Sequence, residues 1–261
     1  MSTRLKQYIR DQPHKPCNKE KYRTPILVSD SKGFTLRNHS PDSEFPFELW
    51  CCSGARTHKL VDLIEERITK AVKRHGKIVI YLWAGTCDIT QKAGKYIRLR
   101  SSSNKAVEEI ISEYNRAIKI VEKFHTQAKL KIVDCPISSI QQWNKNKGHY
   151  NPSIFKSEDS NLTKQITFLN KKIWCINKKL GTNSVRTSQF YFRSRKERSH
   201  RSRKSIKISL NNKDGVHPGK LLSLAITKKL LLDSYKECFI TIPDNAILQI
   251  LVEEEELKSI I

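Results

Sequence analysis

Runs of apolar residues alternate with amphipathic segments along most of this 261-residue chain. Five short segments are predicted as strands because they are apolar or rich in β-branched and aromatic residues: 25–29, 47–52, 77–85, 129–137 and 185–192. Between them, apolar residues recur at helical spacing, which predicts helices over 60–71, 107–121, 162–176 and 219–235. Strands that are apolar throughout must be covered on both faces, so the pattern predicts an α/β fold, a three-layer α/β/α sandwich around a mostly parallel five-stranded sheet.

Three regions of the chain differ in composition. Residues 1–24 are polar and basic with two prolines, and we expect a poorly ordered N-terminal arm. Residues 25–240 should form the folded domain, with a basic insertion at 193–207, and residues 241–261 form an acidic C-terminal tail. No apolar run reaches the length of a membrane span and no signal-peptide core precedes the domain, so we expect no membrane span and a cytoplasmic or nuclear location.

The net charge and the cysteine positions indicate which kinds of binding partner and metal site the chain favours or excludes. The 49 basic residues exceed the 26 acidic ones and give a formal charge of +23, which favours a polyanionic partner such as nucleic acid or an acidic membrane surface. The seven cysteines are scattered and include no C-x-x-C pair, which argues against a disulfide framework and a zinc cluster. Four histidines follow no metal-ligand spacing, and a surface or structural role is expected for each: His58, His75, His125 and His149.

Polar residues follow the first three predicted strands and precede the last helix. Ser31 lies in "SDSKGF" and Gly54 in "CCSGART", while "GTCD" spans Gly85 to Asp88 and "DGVHPG" carries Asp214 and His217. The carboxyl ends of parallel strands meet at one edge of a sheet, so these residues can converge there. A histidine held by an aspartate can activate a serine hydroxyl. The simpler interpretation is that Ser31 caps a helix and that the other residues shape turns.

In this order the four blocks resemble those of the SGNH hydrolases, the superfamily of GDSL-like esterases and lipases, over residues 26 to about 233. They are also similar to SGNH-like domains encoded by invertebrate mobile elements. The resemblance implies the flavodoxin-like SGNH hydrolase fold. It further implies a serine esterase or deacylase that hydrolyses an acyl or acetyl ester with Ser31 as nucleophile, His217 as base and Asp214 as its partner, without a metal or cofactor.

The same resemblance places the oxyanion hole at the backbone N–H groups of Ser31 and Gly54 and at the side chain of Cys87, with Gly85 and Asp88 as supporting residues. The family has an asparagine where this chain has Cys87. A thiol is a weak donor, and loss of one oxyanion donor slows a reaction by about 100- to 1000-fold. Two alternatives for Cys87 are a replacement nucleophile and a buried inert thiol. Arg56 is a candidate for binding an anionic substrate group, or else a surface residue.

The basic insertion suggests a second function. It follows three aromatic residues at 190–192, and its candidate contacts to RNA or DNA are Arg193, Arg195, Lys196, Arg198, Arg201, Arg203 and Lys204. A solvated loop and a nuclear localisation signal are the simpler interpretations. The alternative to an esterase is therefore a nucleic-acid-binding protein on a catalytically weakened SGNH scaffold, in keeping with a mobile-element origin.

Overall fold

The computed structural model describes residues 3–10, 19–37, 46–196 and 202–241. The helices, in chain order, are α1 (Thr3–Arg10), α2 (Ser31–Arg37), α3 (Thr57–His75), α4 (Thr86–Ile89), α5 (Lys105–Glu122), α6 (Ile140–Asn146), α7 (Lys156–Lys179) and α8 (Lys220–Cys238). The strands are β1 (Lys19–Lys21), β2 (Thr24–Ser29), β3 (Glu48–Cys51), β4 (Ile78–Trp83), β5 (Thr90–Ala93), β6 (Tyr96–Leu99), β7 (Ala128–Ile132), β8 (Phe192–Lys196), β9 (Ser202–Ile206) and β10 (Phe239–Thr241).

The central sheet contains four parallel strands in the order β3–β2–β4–β7. Its middle strands are buried on both faces, and Ile26, Leu27 and Val28 of β2 have no exposed surface. The chain leaves β2 for β3 on one side and later enters β4 on the other side. The carboxyl end of β2 therefore lies at the point where the strand order reverses, which is where α/β sheets open a crevice for ligands.

Amphipathic helices cover this sheet. Helices α3 and α5 pack against each other and against the sheet, while α8 packs against β2 and β4. Positive φ angles of 69° at Gly76 and 65° at Gly181 end α3 and follow α7, a backbone conformation that glycine adopts without a Cβ clash. The four predicted helices and the three-layer α/β architecture are confirmed.

The predicted strand over 185–192 is wrong, and within the described residues the central sheet has four strands instead of five. The reason is the buried carboxylate of Asp134, which follows β7. It accepts hydrogen bonds from the backbone N–H groups of Thr187 at 2.6 Å and Ser188 at 3.0 Å. These bonds bend the chain into a turn of 3-10 helix over Ser188–Tyr191, and only Phe192 enters a strand.

The described part of the N-terminal arm is more regular than its polarity suggests. Helix α1 packs against α8, where Leu5 is buried and Lys228 Nζ donates to the carbonyl oxygen of Tyr8 at 2.6 Å. Strand β1 pairs with β10 in antiparallel fashion. Although most residues of α1 are polar, the buried Leu5 helps to hold this helix against α8. The tail beyond residue 241 lies outside the described residues.

Two features concern binding partners. Among the described residues, none of the helices combines the length and apolar character needed to cross a bilayer. In the same part of the chain, no group of three or more His, Cys, Asp and Glu side chains is arranged to hold a metal ion.

Candidate active site

The turn between β2 and α2 presents Ser31 at the sheet edge. Strand β2 ends at Ser29 and α2 begins at Ser31, so Asp30 occupies the cap position. Asp30 Oδ1 accepts the backbone N–H of Lys32 at 3.0 Å, which satisfies one free donor of the first helical turn. A Cβ atom at Gly33 would clash with Cys51 Sγ, so a glycine there lets α2 lie directly on β2 and β3.

Ser31, His217 and Asp214 form a continuous hydrogen-bonded chain. Ser31 Oγ lies 2.9 Å from His217 Nε2, and His217 Nδ1 lies 2.8 Å from Asp214 Oδ2. Because an ionised carboxylate only accepts hydrogen bonds, Nδ1 carries the proton and Nε2 is left to accept the serine hydroxyl. This set is the one predicted from the sequence, and the structure brings all three side chains together.

The loop that carries Asp214 and His217 is fixed by its own hydrogen bonds. Asp214 Oδ1 accepts the backbone N–H groups of Val216 at 2.9 Å and His217 at 3.0 Å, a turn in which an aspartate side chain caps the following residues. Burial raises the pKa of Asp214. The hydrogen bonds from His217 and Val216 act in the opposite direction, and the net pKa lies below the ordinary value. The carboxylate therefore stays ionised beside the histidine.

Gly54 lies close in the fold to the serine turn. The backbone N–H of Cys52 donates to the carbonyl oxygen of Ser29 at 3.0 Å, which joins the ends of β2 and β3. Gly54 follows with a φ of 67°. Among the described residues, neither Ser31 nor Gly54 donates its backbone N–H to a backbone acceptor in a turn or loop, and their place in an oxyanion hole stays a prediction.

Gly85 and Asp88 lie just after β4, at the same edge of the sheet as Ser31. Gly85 has a φ of 116° and opens α4. The Asp88 carboxylate accepts the backbone N–H of Thr57 at 3.0 Å and its hydroxyl at 2.8 Å. Burial raises the pKa of Asp88 more than these hydrogen bonds lower it. Asp88 therefore anchors the start of α3, three residues after Gly54.

Cys87 lies beside the site, but its thiol contacts a carboxylate. Cys87 Sγ is 3.5 Å from Asp30 Oδ2 and is placed to donate to it. Burial and the nearby Asp30 charge raise the pKa of Cys87 to about 12. The thiol is therefore protonated at neutral pH, which argues against a replacement nucleophile. Its predicted place in the oxyanion hole stays a prediction.

Lys32, which lies directly after Ser31, is part of the site but was not predicted from the sequence. Its side chain is buried, forms an ion pair with Asp30 and lies 5.9 Å from the Trp83 ring. Burial is the largest influence on the pKa of Lys32 and lowers it, but several neighbouring groups, the Asp30 carboxylate first among them, together raise it above the ordinary value. A lysine in an amphipathic segment normally points to solvent. The acidic residue two positions earlier, Asp30, is therefore the only sequence feature that could have indicated a buried ion pair with Lys32.

The remaining predicted residues lie away from this chain of hydrogen bonds. Arg56 is half-buried at the cap of α3, and its role in substrate binding stays a prediction. The basic insertion forms the antiparallel hairpin β8–β9, in which Arg195 pairs with Arg203 in the backbone register. Arg198 and Arg201 lie outside the described residues. Nucleic-acid binding by the insertion stays a prediction.

Comparison with known proteins supports the fold. No protein-family model and no curated protein matches the chain. A Bacteroides thetaiotaomicron structure of a GDSL-like lipase matches with a TM-score of 0.55 and 14% identity, covering 86% of this chain and 92% of the lipase. A Bacteroides fragilis structure assigned as an acylhydrolase matches with a TM-score of 0.52 and 16% identity, covering 90% and 95%.

Identities this low establish the fold alone. The chain has the fold of the GDSL-like lipases and acylhydrolases, so the prediction of an SGNH hydrolase fold is confirmed. The resemblance to domains of mobile elements stays a prediction, as do the predicted locations.

Proposed function

We propose that the protein is a serine esterase or deacylase of the SGNH type. The observation that carries this proposal is the pair of distances that join Ser31 to His217 at 2.9 Å and His217 to Asp214 at 2.8 Å. The first distance lets His217 take the proton of Ser31, and the second lets Asp214 orient the histidine ring. The fold adds support, because Ser31 follows the carboxyl end of β2, the place where ligands bind in such sheets.

The first half of the reaction forms an acyl-enzyme. Ser31 Oγ attacks the ester carbonyl carbon while its proton passes to His217 Nε2, and Asp214 stabilises the resulting imidazolium. The backbone N–H groups of Ser31 and Gly54 bind the negative oxygen of the tetrahedral intermediate. When the intermediate collapses, the bond from carbon to the alcohol oxygen breaks and His217 returns its proton to the leaving alcohol.

The second half releases the acid. Water attacks the acyl carbon and gives a proton to His217, and a second tetrahedral intermediate forms in the same oxyanion site. Its collapse breaks the bond to Ser31 Oγ, which recovers the proton from His217. The net reaction converts one ester and one water into one carboxylic acid and one alcohol.

Labelling with a fluorophosphonate probe tests this proposal without the natural substrate. We expect covalent labelling at Ser31, no labelling of Ser31→Ala and none of His217→Ala, because the hydroxyl needs its base. Ser53→Ala is the matched control, since Ser53 is an exposed serine beside Gly54. Equal labelling of Ser31→Ala and the wild-type protein would overturn the assignment.

A further inference from the structure

A cluster of aromatic side chains lies on the surface formed by β6 and the segment after α6. The rings of His149 and Tyr150 stack with centroids 4.9 Å apart and planes inclined by 18°. The Tyr96 ring meets His149 edge-on at 4.9 Å. Tyr150 is 92% exposed, so the stack presents an aromatic side chain to solvent. An exposed tyrosine supported by a second ring is a ready platform for another flat group.

Hydrogen bonds hold this cluster in place. The Asn144 side chain accepts the backbone N–H of Ile97 and donates to its carbonyl oxygen, both at 2.9 Å, which joins α6 to β6. Trp143 Nε1 donates to the carbonyl oxygen of Lys95 at 3.3 Å. The backbone N–H of His149 donates to the carbonyl oxygen of Asn144 at 2.9 Å, so the turn after α6 is fixed as well. The platform is therefore built before any partner binds.

The chain around the cluster is mainly basic, although Glu158 accepts the backbone N–H of Leu99 in β6 at 2.7 Å and Asp159 accepts the backbone N–H of Gln141 at the start of α6 at 3.2 Å. Residues 89–107 and 135–157, which supply both sides of the cluster, contain eight Lys and Arg residues and no Asp or Glu. Lys95 Nζ lies 5.2 Å from the Tyr96 ring centroid, and Lys147 Nζ lies 5.2 Å from that of Trp143. Both lysines are exposed. Each cation thus stands beside an aromatic ring at the spacing of a cation–π contact.

We propose that this aromatic–basic surface, formed by Tyr96, Trp143, His149 and Tyr150 with Lys92, Lys95, Lys145 and Lys147, binds single-stranded nucleic acid. Unpaired bases stack on exposed aromatic rings, and neighbouring lysines neutralise the phosphates between them. A duplex fits poorly because its bases are already stacked on each other. An uncharged polysaccharide leaves the lysines without a role.

This surface differs from the basic insertion and adjoins the proposed esterase site. Gln142 Nε2 donates to the carbonyl oxygen of Lys213 at 3.0 Å, and the backbone N–H of Ser139 donates to that of Gly215 at 3.0 Å. Helix α6 therefore begins at the loop of Asp214 and ends at the aromatic platform. A bound strand would lie beside the esterase site without needing Ser31.

The first experiment measures binding of a fluorescent oligouridine of about 12 nucleotides by anisotropy. Tyr150→Ala should weaken binding about 5- to 100-fold, as expected for the loss of one stacked base, whereas Tyr150→Phe should bind like the wild-type protein. Because Tyr150 is almost fully exposed, the substitution should leave the thermal midpoint unchanged. Equal binding by Tyr150→Ala and the wild-type protein would overturn the stacking role.

The lysines are tested by the salt dependence of the same binding. Lys95→Gln with Lys147→Gln should reduce the slope of log Kd against log salt concentration by about 1.4, since each phosphate contact to a single strand contributes about 0.7. The matched control is Lys70→Gln with Lys73→Gln, because both lysines are exposed on α3. An identical reduction in both double variants would show that only net charge matters and would overturn the site.

Cross-linking locates the bound strand. An oligonucleotide containing 4-thiouridine should cross-link within residues 143–150 in both the wild-type protein and Ser31→Ala. Cross-links confined to 193–207 would overturn the proposal in favour of the basic insertion. Vesicles containing phosphatidylserine provide the alternative partner: if Tyr150→Ala weakens vesicle binding and leaves oligouridine binding intact, the surface binds lipid and the proposal is wrong.

Discussion

Two pairs of interacting side chains lie around Ser31, one in the loop before α8 and one in the β2–α2 turn, and they differ in exposure to solvent. The side chain of His217, which contacts Ser31, is 26% exposed, and that of Asp214, which contacts His217, is 21% exposed. The side chains of Asp30 and Lys32, which flank Ser31 in the chain, are 0% and 2% exposed. One set faces the crevice at the sheet edge, and the other lies beneath it against Trp83.

The difference in exposure suggests different roles: the exposed pair takes part in proton transfer, and the buried pair positions Ser31. A proton must move between Ser31 and His217, so that pair needs access to substrate and water. Asp30 and Lys32 hold fixed charges in the interior, where an unpaired charge is strongly unfavourable. Asp30 also accepts the N–H of Lys32 and contacts the Cys87 thiol. The buried pair therefore fixes the start of α2, and with it the direction of Ser31.

The largest effect should come from the exposed set. Asp214→Asn should lower kcat on a short-chain aryl ester by about 10⁴-fold, because an amide can no longer hold His217 in the tautomer that accepts the serine proton. Lys213→Gln is the control, since Lys213 is the exposed neighbour on the same loop. If Asp214→Asn retains wild-type kcat, Asp214 does not orient the base.

The pH dependence of ester hydrolysis tests the role of Asp214 in a second way. The pKa of Asp214 is lowered by its hydrogen bonds, so its charge is present above the ordinary carboxyl pKa and is lost only as pH falls through the lower folded value. A loss of activity between pH 7 and pH 5 in the wild-type protein would therefore arise from another group.

The buried pair should affect stability next. Lys32→Met should lower the free energy of unfolding by about 3 to 5 kcal/mol, because Asp30 is left buried and uncompensated. Adding Asp30→Asn should recover part of that loss, since the amide oxygen still accepts the N–H of residue 32. Urea unfolding curves measure both. Additive losses in the double variant would show that the two side chains are not coupled.

Lys131 offers a matched control for this prediction. It lies on β7, an edge strand of the central sheet, and is also buried. Its ammonium pairs with Asp233 at 2.7 Å and Glu237 at 3.0 Å, both on α8. Lys131→Met should lower stability but leave the hydrolysis rate of the folded protein unchanged. Lys32→Met should lower both. Equal effects of the two substitutions on rate would remove the positioning role of Lys32.

Sequence patterns predicted the parts of the fold that depend on local periodicity. The apolar run of β2 and the helical spacing in α3 specify buried elements by themselves, and the order of the polar blocks singled out Ser31, Asp214 and His217, whose side chains lie in contact. These features need only the alternation of elements and the rule that strand ends meet at one edge.

Long-range polar contacts explain what the patterns missed. Asp134 turns residues 187 and 188 away from strand pairing from 53 and 54 positions away in the chain. Asn144 joins α6 to β6 across 47 positions, and without it the polar segment after β7 resembles a plain loop. Cys87 contacts Asp30 across 57 positions. Such partners are set by the folded topology and leave no periodic signal.

The smallest predicted effect concerns Cys87, whose thiol contacts Asp30 of the buried pair. Cys87→Asn should raise kcat/KM on a short-chain aryl ester by at most about 100-fold. An asparagine amide has two N–H donors, so one can replace the thiol contact to Asp30 while the other reaches the oxyanion. A donor that strengthens only as negative charge develops lowers the barrier rather than tightening ground-state binding. Cys87→Ala, which supplies no donor, should match the wild-type rate, and Ser31→Ala provides the blank. If Asn and Ala give the same rate, the side chain at position 87 does not face the oxyanion; if both abolish hydrolysis, the contact between Cys87 and Asp30 is itself required to position Ser31.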